Sequence, residues 1–405
     1  MQPLLFPKKS YFCRRYSVWG IGGNWIMELL VFNPEHDYAL ADNQPQFVAL
    51  RSAAQFAYDC APFMRYLYGD EDIVLNAYEP FGAEFRKDFR PLAEAEQVTE
   101  VIPWGWDTAV TYQLRRIGIP EMLLPSDGAL AKIRELAHRK TTISAIEFLH
   151  DHHPHPEQLP SPPSYLTEPQ QVEDFIKRTP DALFKSPYSG NGRGHLYAHG
   201  ECSPTLLRQC TGVLKRQGAI LAEKQYAVVQ DFAMEFSCHD GLTTFRGLSL
   251  FKTEHYGYGG NLLMPDSDIL HFLSKYVDIQ DLQTIQELVQ QFLQQEIAPY
   301  YNGDAGVDMF VYQEDGKYKL HPFVEVNLRK TMGLAAHDIY TKYCHPEARG
   351  TFRIVRGEVE TRHGTSLQTG MQLRDGRWWR GTMVLNPVTE KTQYAVVVKL
   401  DECAM

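Results

Sequence analysis

The sequence predicts an α/β protein of more than one domain, with a small open sheet at its N-terminal end and α+β lobes after it. The chain has 405 residues, which exceeds the size at which a single hydrophobic core keeps growing. Apolar runs of strand length at Leu29–Phe32, Ile73–Leu75 and Val98–Ile102 alternate with helical stretches around residues 50–68 and 108–117. Such alternation is typical of an open α/β sheet.

Composition narrows the possible functions. Hydrophobic residues make up 44% of the chain and charged residues 22%, as in a folded globular protein. The formal net charge is -10, which argues against a nucleic-acid partner because counterion release from phosphates requires a basic protein surface. No run of about 18 apolar residues occurs, so the sequence predicts no membrane span.

The cysteine pattern indicates a cellular compartment. The seven cysteines are odd in number, scattered and never spaced as CxxC. Reduced thiols in a cytoplasmic protein fit this pattern better than a disulfide framework or a zinc site. The residues are Cys13, Cys60, Cys202, Cys210, Cys238, Cys344 and Cys403.

Changes of pattern along the chain suggest four segments. Residues 1–26 are interpreted as an extension or a misassigned start rather than a signal peptide, because Met27 begins the strand-like run MELLVFN. Residues 27–138 form the N-terminal α/β domain. Residues 139–345 contain most of the candidate binding and catalytic residues and are expected to form two lobes. Residues 346–405 are strand-rich.

A polar segment, Asn33–Asp37, directly follows the first predicted strand. Open α/β sheets bind ligands outside the carboxyl ends of their strands. The Asn-Pro pair at its start is also an ordinary turn signal. A ligand-binding segment and a plain turn both remain possible at this point.

A glycine-rich loop is the strongest local signal. Lys185 ends a predicted strand, and three glycines then occur at alternate positions. Glycines let backbone amides approach an anion closely, and the preceding lysine can place an ammonium on phosphate oxygens. The loop lacks the GK[ST] of a Walker loop and does not open a helix as a dinucleotide fingerprint does. The glycines are Gly190, Gly192 and Gly194.

A predicted β-hairpin supplies the second signal. The segments Gly306–Tyr312 and Tyr318–Asn327 read as strands, and Asp315-Gly316 between them is a strong two-residue turn. Counting back from that turn places Asp308 opposite Phe323. Side chains alternate along a strand, so Asp308 shares one face of the hairpin with other polar residues near its end.

The polar face of this hairpin has the composition of a magnesium site. Asp308, Glu325 and Asn327 are expected to project from it together. Two carboxylates and one amide oxygen, completed by water and phosphate, are typical ligands of Mg²⁺. The alternative is an exposed acidic face neutralised by lysine or arginine. The phosphate-binding loop upstream favours the metal.

The order of these residues resembles the ATP-grasp superfamily over about residues 135–335. The resemblance rests on Lys140 before a helix, Lys185 with its glycine loop, and the acidic hairpin pair, Asp308 and Glu325. It implies an ATP-grasp fold behind the N-terminal sheet domain. It also implies that Lys140 reaches the α-phosphate and Lys185 the α- and β-phosphates, with Ser189 and the loop glycines covering the nucleotide.

The same resemblance implies positions for the nucleoside. The stretch Leu221–Tyr226 looks like the hinge that binds adenine, with Glu223, Lys224 and Tyr226 as contacts. Asp231 resembles the acid that binds the ribose hydroxyls. Glu235 competes for that role because the spacing is looser than in the family.

The motif Glu325-Val326-Asn327-Leu328-Arg329 resembles the ExNxR form of carbamoyl-phosphate synthetase and biotin carboxylase. Many ligases of the family instead have an arginine two positions before the hairpin aspartate, where this chain has Gly306. The transferring phosphate would then need Arg329, Arg246 or Lys252. Arg329 is favoured because it lies two residues beyond Asn327, on the same face.

The resemblance implies an enzyme that activates a carboxylate with MgATP and joins it to an amine. Two Mg²⁺ ions, for which Mn²⁺ could substitute, would bridge the phosphates, and the expected partners are small-molecule acids and amines. Direct phosphorylation of a hydroxyl and nucleotide binding without turnover are the alternatives. The sequence specifies neither the substrates nor the oligomeric state.

Overall fold

The structure is a computed structural model. It describes residues 27–69, 72–82, 84–189, 194–254, 257–357 and 370–401, and of residues 253, 254, 257 and 258 only the backbone. The N-terminal extension and two of the loop glycines, Gly190 and Gly192, lie outside the described residues.

The first part of the chain forms a small parallel sheet flanked by helices. Strands β1, β2 and β5 lie in the order β2-β1-β5 and are parallel, which confirms the predicted open α/β sheet. Its elements are β1 (Met27–Val31), α1 (His36–Asp42), α2 (Arg51–Cys60), α3 (Met64–Leu67), β2 (Ile73–Leu75), β3 (Tyr78–Phe81), β4 (Glu84–Lys87), β5 (Val98–Pro103) and α4 (Thr108–Ile117).

The next part contains a small lobe with its own antiparallel sheet and its own hydrophobic core. The strand order in that sheet is β6-β9-β7-β8. A capping box between Glu168 and Gln171 starts the lobe's helix Pro169–Arg178. The elements are α5 (Asp127–Ala137), α6 (Lys140–His152), β6 (Ser164–Leu166), α7 (Pro169–Arg178), β7 (Asp181–Lys185), β8 (His195–His199), α8 (Pro204–Gln217) and β9 (Ile220–Lys224).

The remainder of the chain builds a nine-stranded sheet in the order β14-β13-β10-β11-β12-β15-β18-β17-β16. The strand-rich C-terminal segment joins it through the pairing of β12 with β15. The elements are β10 (Ala227–His239), β11 (Leu242–Glu254), β12 (Gly257–Leu263), α9 (Asp266–Leu273), α10 (Ile279–Glu296), β13 (Gly303–Glu314), β14 (Lys317–Asn327), α11 (Met332–Tyr343), β15 (Arg349–Arg356), β16 (Gln372–Arg374), β17 (Arg377–Val384) and β18 (Tyr394–Asp401).

The predicted hairpin is formed by β13 and β14, but one part of its register differs. The turn lies at Asp315 and Gly316, whose φ angles of 51° and 74° fit a hairpin turn of the primed type. Asp308 pairs with Glu325 rather than with Phe323, because a β-bulge between Asp308 and Phe310 shifts the register. The predicted pairing of Asp308 with Phe323 was therefore wrong.

Two apolar layers hold the large sheet in place. One face packs against α6 and α10. The second apolar layer surrounds Phe352 of β15. This residue is fully buried among residues of the N-terminal sheet, α11 and β18. Its ring lies 6.4 Å from that of Phe63, which lies 5.1 Å from that of Phe32. This aromatic group joins the N-terminal domain to the C-terminal strands.

Two further observations concern the chain as a whole. Within the part of the chain that the structure describes, no helix is long and apolar enough to cross a membrane. The five cysteines in that part are all free thiols.

Replacing Phe352 by alanine should reduce the free energy of unfolding by about 3–5 kcal/mol, because a fully buried ring is removed where three parts of the chain meet. Chemical denaturation followed by circular dichroism measures this. Leu373→Ala, at a side chain that is 60% exposed, is the matched control and should change stability by less than about 0.5 kcal/mol. Equal effects of the two changes would contradict the proposed junction.

Candidate functional site

A cavity of about 380 Å³ lies between the small lobe and the nine-stranded sheet. The sheet side is formed by β10, β11, β12, β13, β14, the segment after β14 and the start of α11. The cavity brings together Lys185 from the lobe and the polar end of the hairpin, as the sequence predicted. Its polar lining consists of Lys185, His195, Tyr197, Asp231, Glu235, Ser249, Asn261, Asp308, Glu325, Asn327, Arg329 and Thr331.

Two carboxylates face each other at the base of this cavity. Asp308 and Glu325 are directly paired across β13 and β14, and Asn327 Nδ2 donates to Asp308 Oδ2 at 3.2 Å. Burial, followed by the nearby Glu325 and Glu235 carboxyls, raises the pKa of Asp308 well above its ordinary value. A cation beside the two carboxyls would offset their mutual repulsion.

The three polar groups at this position fit a hard divalent cation. Asp308, Glu325 and Asn327 offer carboxylate and amide oxygens, which Mg²⁺ prefers. No cluster of three or more His, Cys, Asp or Glu side chains that could hold a metal occurs among the described residues. A set of two carboxylates and one amide leaves coordination positions for water and phosphate oxygens, and Mg²⁺ commonly retains such ligands.

Arg139 connects the glycine loop to the acidic hairpin. Its guanidinium donates to the Ser186 carbonyl at 2.7 Å, to Ser189 Oγ at 2.6 Å and to the Ser189 carbonyl at 3.1 Å. It also donates to the carboxylate of Glu325. Sequence reasoning gave Arg139 no role, because it had assigned the phosphate contact to the next residue, Lys140.

Lys140 does not line the cavity. Its side chain is about half exposed, and its ammonium lies 3.8 Å from Glu135. Successive residues at the start of a helix point in directions about 100° apart, so Arg139 points towards Glu325 of the hairpin while Lys140 points towards Glu135. The sequence could not show which of the two adjacent cations contacts the hairpin.

Lys185 is 5% exposed and forms an ion pair of 2.5 Å with Glu223 on the neighbouring strand. Burial opposes the charge on Glu223, but Lys185 and His321 together hold the pKa of that carboxyl below its ordinary value. Lys185 thus remains at the cavity wall, with a carboxylate partner that triphosphate oxygens would have to replace. Glu223, expected at the adenine, contacts this lysine.

Of the other expected nucleoside contacts, one lines the cavity and two do not. Asp231 lines the cavity. Tyr226 packs between Phe310 and Tyr312, at centroid distances of 5.4 and 4.7 Å, and is thus next to a cavity-lining ring rather than in the lining itself. Lys224 forms an ion pair with a glutamate of β13 near the hairpin turn.

The described end of the glycine loop shows a tight backbone. Gly194 has φ +99°, and a Cβ at this position would lie 3.2 Å from Ser186 Oγ. A side chain here would therefore be strained. Ser189, at the other end of the loop, accepts from Arg139.

The structure distinguishes the three cations considered for the transferring phosphate. Arg329 lines the cavity. Lys252 is exposed on β11 and is not in the lining. Arg246 lines a different cavity. Gly306 has no space for a side chain, because a Cβ there would lie 2.6 Å from Thr331 Cγ2 and 2.8 Å from a Glu235 oxygen, which explains the absence of an arginine.

Arg329 is held by a carboxylate from the N-terminal domain. Arg329 Nε lies 3.2 Å from Asp37 Oδ1, and Nη2 lies 3.0 Å from Asp37 Oδ2. Nη2 also donates to Asn327 Oδ1 at 2.9 Å. Burial opposes the charge on Asp37, but Arg329 and the neighbouring cations hold the pKa of its carboxyl below its ordinary value. The guanidinium is thus fixed beside the hairpin ligands.

The polar segment after β1 contains both a residue that contacts the site and residues that form a turn. Its last residue, Asp37, reaches the site through Arg329. Asn33 and His36 are buried and contact Asp107 at 3.1 Å each. Glu35 accepts from Tyr78 at 2.5 Å. These three buried residues fix the turn.

Glu235 is the most deeply buried carboxyl of the cavity wall. It is 1% exposed and accepts from Ser249 Oγ at 2.9 Å and from Thr331 Oγ1 at 2.8 Å. Burial raises its pKa to about 7, although the two hydroxyls favour the charged form. Its depth argues against a contact with ribose hydroxyls, since Asp231 is the more accessible acid.

Comparison with solved structures shows the class of fold. The chain superposes on the ADP complex of an N5-carboxyaminoimidazole ribonucleotide synthetase with a TM-score of 0.51 and 12% identity, over 93% of this chain and 92% of the other. It superposes equally on a biotin carboxylase complex from Campylobacter jejuni, with a TM-score of 0.51 and 12% identity, over 93% and 88%.

The chain therefore has the ATP-grasp fold, and the prediction of that fold is confirmed. Identities of this size show the fold alone. No protein-family model matches the sequence. No curated protein matches it by sequence.

The buried carboxyl of Glu235 predicts a pH-dependent stability. Because the folded state raises its pKa from 4.5 to about 7, its contribution is fully present below about pH 4.5 and is lost as the pH rises through 7. Glu235 should account for roughly 3 kcal/mol of the unfolding free energy lost across this window, at about 1.36 kcal/mol per pKa unit. Glu235→Gln should reduce the loss of stability between low and high pH by about that amount.

Denaturation of the nucleotide-free protein at pH 5 and pH 8 measures the difference. The exposed Glu157→Gln is the control and should show the same pH dependence as the wild type. An unchanged pH dependence in Glu235→Gln would contradict the assignment.

Proposed function

We propose that the protein is an ATP-dependent ligase that activates a small-molecule carboxylate as an acyl phosphate and joins it to an amine. One observation carries the proposal. Lys185 and His195, which flank the glycine loop, lie on one wall of the cavity and face Asp308, Glu325, Asn327 and Arg329 on the other. This arrangement provides cations and oxygen ligands on opposite sides of a space for a triphosphate.

The reaction has two steps. A carboxylate oxygen of the acid attacks the γ-phosphorus, the bond to the bridging oxygen breaks, and ADP leaves. The amine nitrogen then attacks the acyl carbon, the bond to the phosphate oxygen breaks, and inorganic phosphate leaves while the nitrogen loses a proton to solvent. Phosphoryl transfer of this kind depends mainly on positioning and neutralisation of charge.

The chain's own residues have distinct proposed roles. Lys185 binds phosphate oxygens, and in doing so exchanges its Glu223 partner for them. Arg329, fixed by Asp37, lies where the charge of the transferring group develops, as catalysis by preorganised electrostatics requires.

The acidic hairpin has the proposed role of binding metal. Asp308, Glu325 and Asn327 would hold Mg²⁺, which neutralises phosphate charge when bound. The repulsion between the two partly buried carboxyls supports this assignment, since a cation relieves it. Asp231 is proposed to bind the ribose, with Tyr226 and Phe310 near the adenine.

Lys185→Ala and Asp308→Asn should each lower the rate of ADP release by a factor of about a hundred or more, in the range typical for removing a preorganised charged group from an active site. The measurement is ADP release from MgATP in mixtures of candidate acids and amines, followed by mass analysis of the product. Lys215→Ala, on the exposed side of α8, is the matched control and should retain full activity.

Near-normal turnover in both site variants would refute the assignment of the site. A phosphorylated product without ligation would refute the ligase chemistry while leaving the nucleotide site in place. Circular dichroism of each variant checks that the fold is retained, because Lys185→Ala leaves the buried Glu223 carboxylate without its ion-pair partner.

A further inference from the structure

A buried histidine lies next to the cavity, and none of the roles proposed above uses it. His321 of β14 is 0% exposed, and among the described residues neither of its ring nitrogens has a hydrogen-bond partner. It is paired across the hairpin with Phe310, which lines the cavity. Buried polar atoms are nearly always hydrogen-bonded, so this exception needs a physical reason.

The carboxylate of Glu223 lies between this histidine and Lys185. His321 Nε2 is 3.9 Å from Glu223 Oε2, which is longer than a hydrogen bond. The other carboxylate oxygen, Oε1, is 2.5 Å from Lys185 Nζ. Each oxygen of one buried carboxylate therefore faces a group that can carry a positive charge, and in the described arrangement the lysine holds the closer contact.

In this arrangement the histidine is neutral. Burial, together with the charges of Lys185 and Lys224, lowers the pKa of His321 to about 4. The carboxylate of Glu223 acts in the opposite direction but does not outweigh burial. An imidazole with such a pKa carries no charge in the physiological range of pH. The lysine alone therefore compensates the charge of Glu223.

Nucleotide binding would disturb this balance. When phosphate oxygens take Lys185, the carboxylate of Glu223, which is 7% exposed, loses its cation. Removing one partner of a buried ion pair is strongly unfavourable. Lys224 is not placed to replace it, since it already pairs with Glu314 and successive side chains of a strand point to opposite faces. A second source of positive charge is needed beside Glu223.

The surroundings of His321 favour a charged imidazole once the lysine has moved. The centroid of its ring lies 4.7 Å from that of Phe310 and 5.2 Å from that of Tyr226. Aromatic rings attract a cation within about 6 Å. Departure of Lys185 also removes one of the positive charges that oppose protonation of this histidine, while the carboxylate that favours it remains.

We propose that His321 is a positioning residue for the nucleotide: it takes up one proton from solvent as the phosphates draw Lys185 away, and it replaces the lysine as the cationic partner of Glu223. When the nucleotide leaves, the proton returns to solvent and Lys185 returns to Glu223. The buried carboxylate is thus compensated in both states. This inference rests on the proposed function, because it needs a nucleotide that competes for Lys185.

The test is NMR of the full chain labelled with ¹³C at the histidine Cε1 atoms, at about pH 6.5, the ordinary pKa of histidine. Spectra are recorded without ligand and with saturating MgADP. The signal of His321 is the one missing from His321→Phe. His195 also lies near Glu223 and lines the cavity, so its own signal is identified with His195→Gln and the two are not confused.

His321 should give the chemical shift of a neutral imidazole in the free protein and that of an imidazolium with MgADP. In Glu223→Gln, whose amide needs no cation, it should stay neutral with MgADP bound. A neutral His321 in the MgADP complex of the wild type would overturn the proposal, as would the same protonation in Glu223→Gln. Failure of the wild type to bind MgADP would instead refute the nucleotide site.

Calorimetry separates this role from packing. His321→Phe, which keeps a planar ring, should weaken MgADP binding by about tenfold or more, because Glu223 then loses Lys185 without a replacement. In the Glu223→Gln background the same change should have less than about a twofold effect. His271→Gln, exposed on α9, is the matched control and should bind like the wild type.

Equal weakening in both backgrounds would show that His321 acts through packing alone and would overturn the proposal. Circular dichroism checks the fold of each variant. His321→Gln takes the place of His321→Phe in both experiments if the larger ring is not accommodated.

Discussion

The repulsion between two adjacent, partly buried carboxyls, Asp308 and Glu325, is the constraint on which the rest of the site depends. The bulge in β13 places them directly opposite each other, where a nearby cation offsets their repulsion. Cations therefore converge on this position from separate elements. Arg139 comes from the start of α6, and Arg329 from the end of β14. These charges draw the small lobe, the large sheet and the N-terminal domain together.

The N-terminal domain participates in this arrangement. Asp37 forms a two-pronged contact with Arg329 across 292 positions of sequence, and the aromatic group around Phe352 supports the same domain from behind. The position of Arg329 thus depends on a helix that lies outside the cavity it lines. The same interface encloses a second cavity of about 630 Å³, which is lined by Lys330, the residue after Arg329. Both cavities therefore share one supporting interface.

The sequence predicted most of the fold and the chemical types at the site. Period-two runs, an Asp-Gly turn and a glycine-rich loop are local signals, and they located β1, β2, β5 and the hairpin. The sequence could not predict the directions of individual side chains. The bulge beside Asp308 leaves no pattern in the residues, and the Arg139-Lys140 pair does not reveal which cation contacts Glu325. Arg246 pairs with Asp338 and lines another cavity, which no local pattern indicates.

The separate core of the small lobe has a mechanical consequence. The lobe is continuous with the rest of the chain through residues 153–163 before it and residues 225–226 after it, and the C-terminal strands are continuous with the sheet that bears the hairpin. Arg139 bonds to Ser186 and Ser189 at the end of β7 and to Glu325 of the hairpin. Any movement of the lobe away from the hairpin would therefore have to break one of these two sets of bonds.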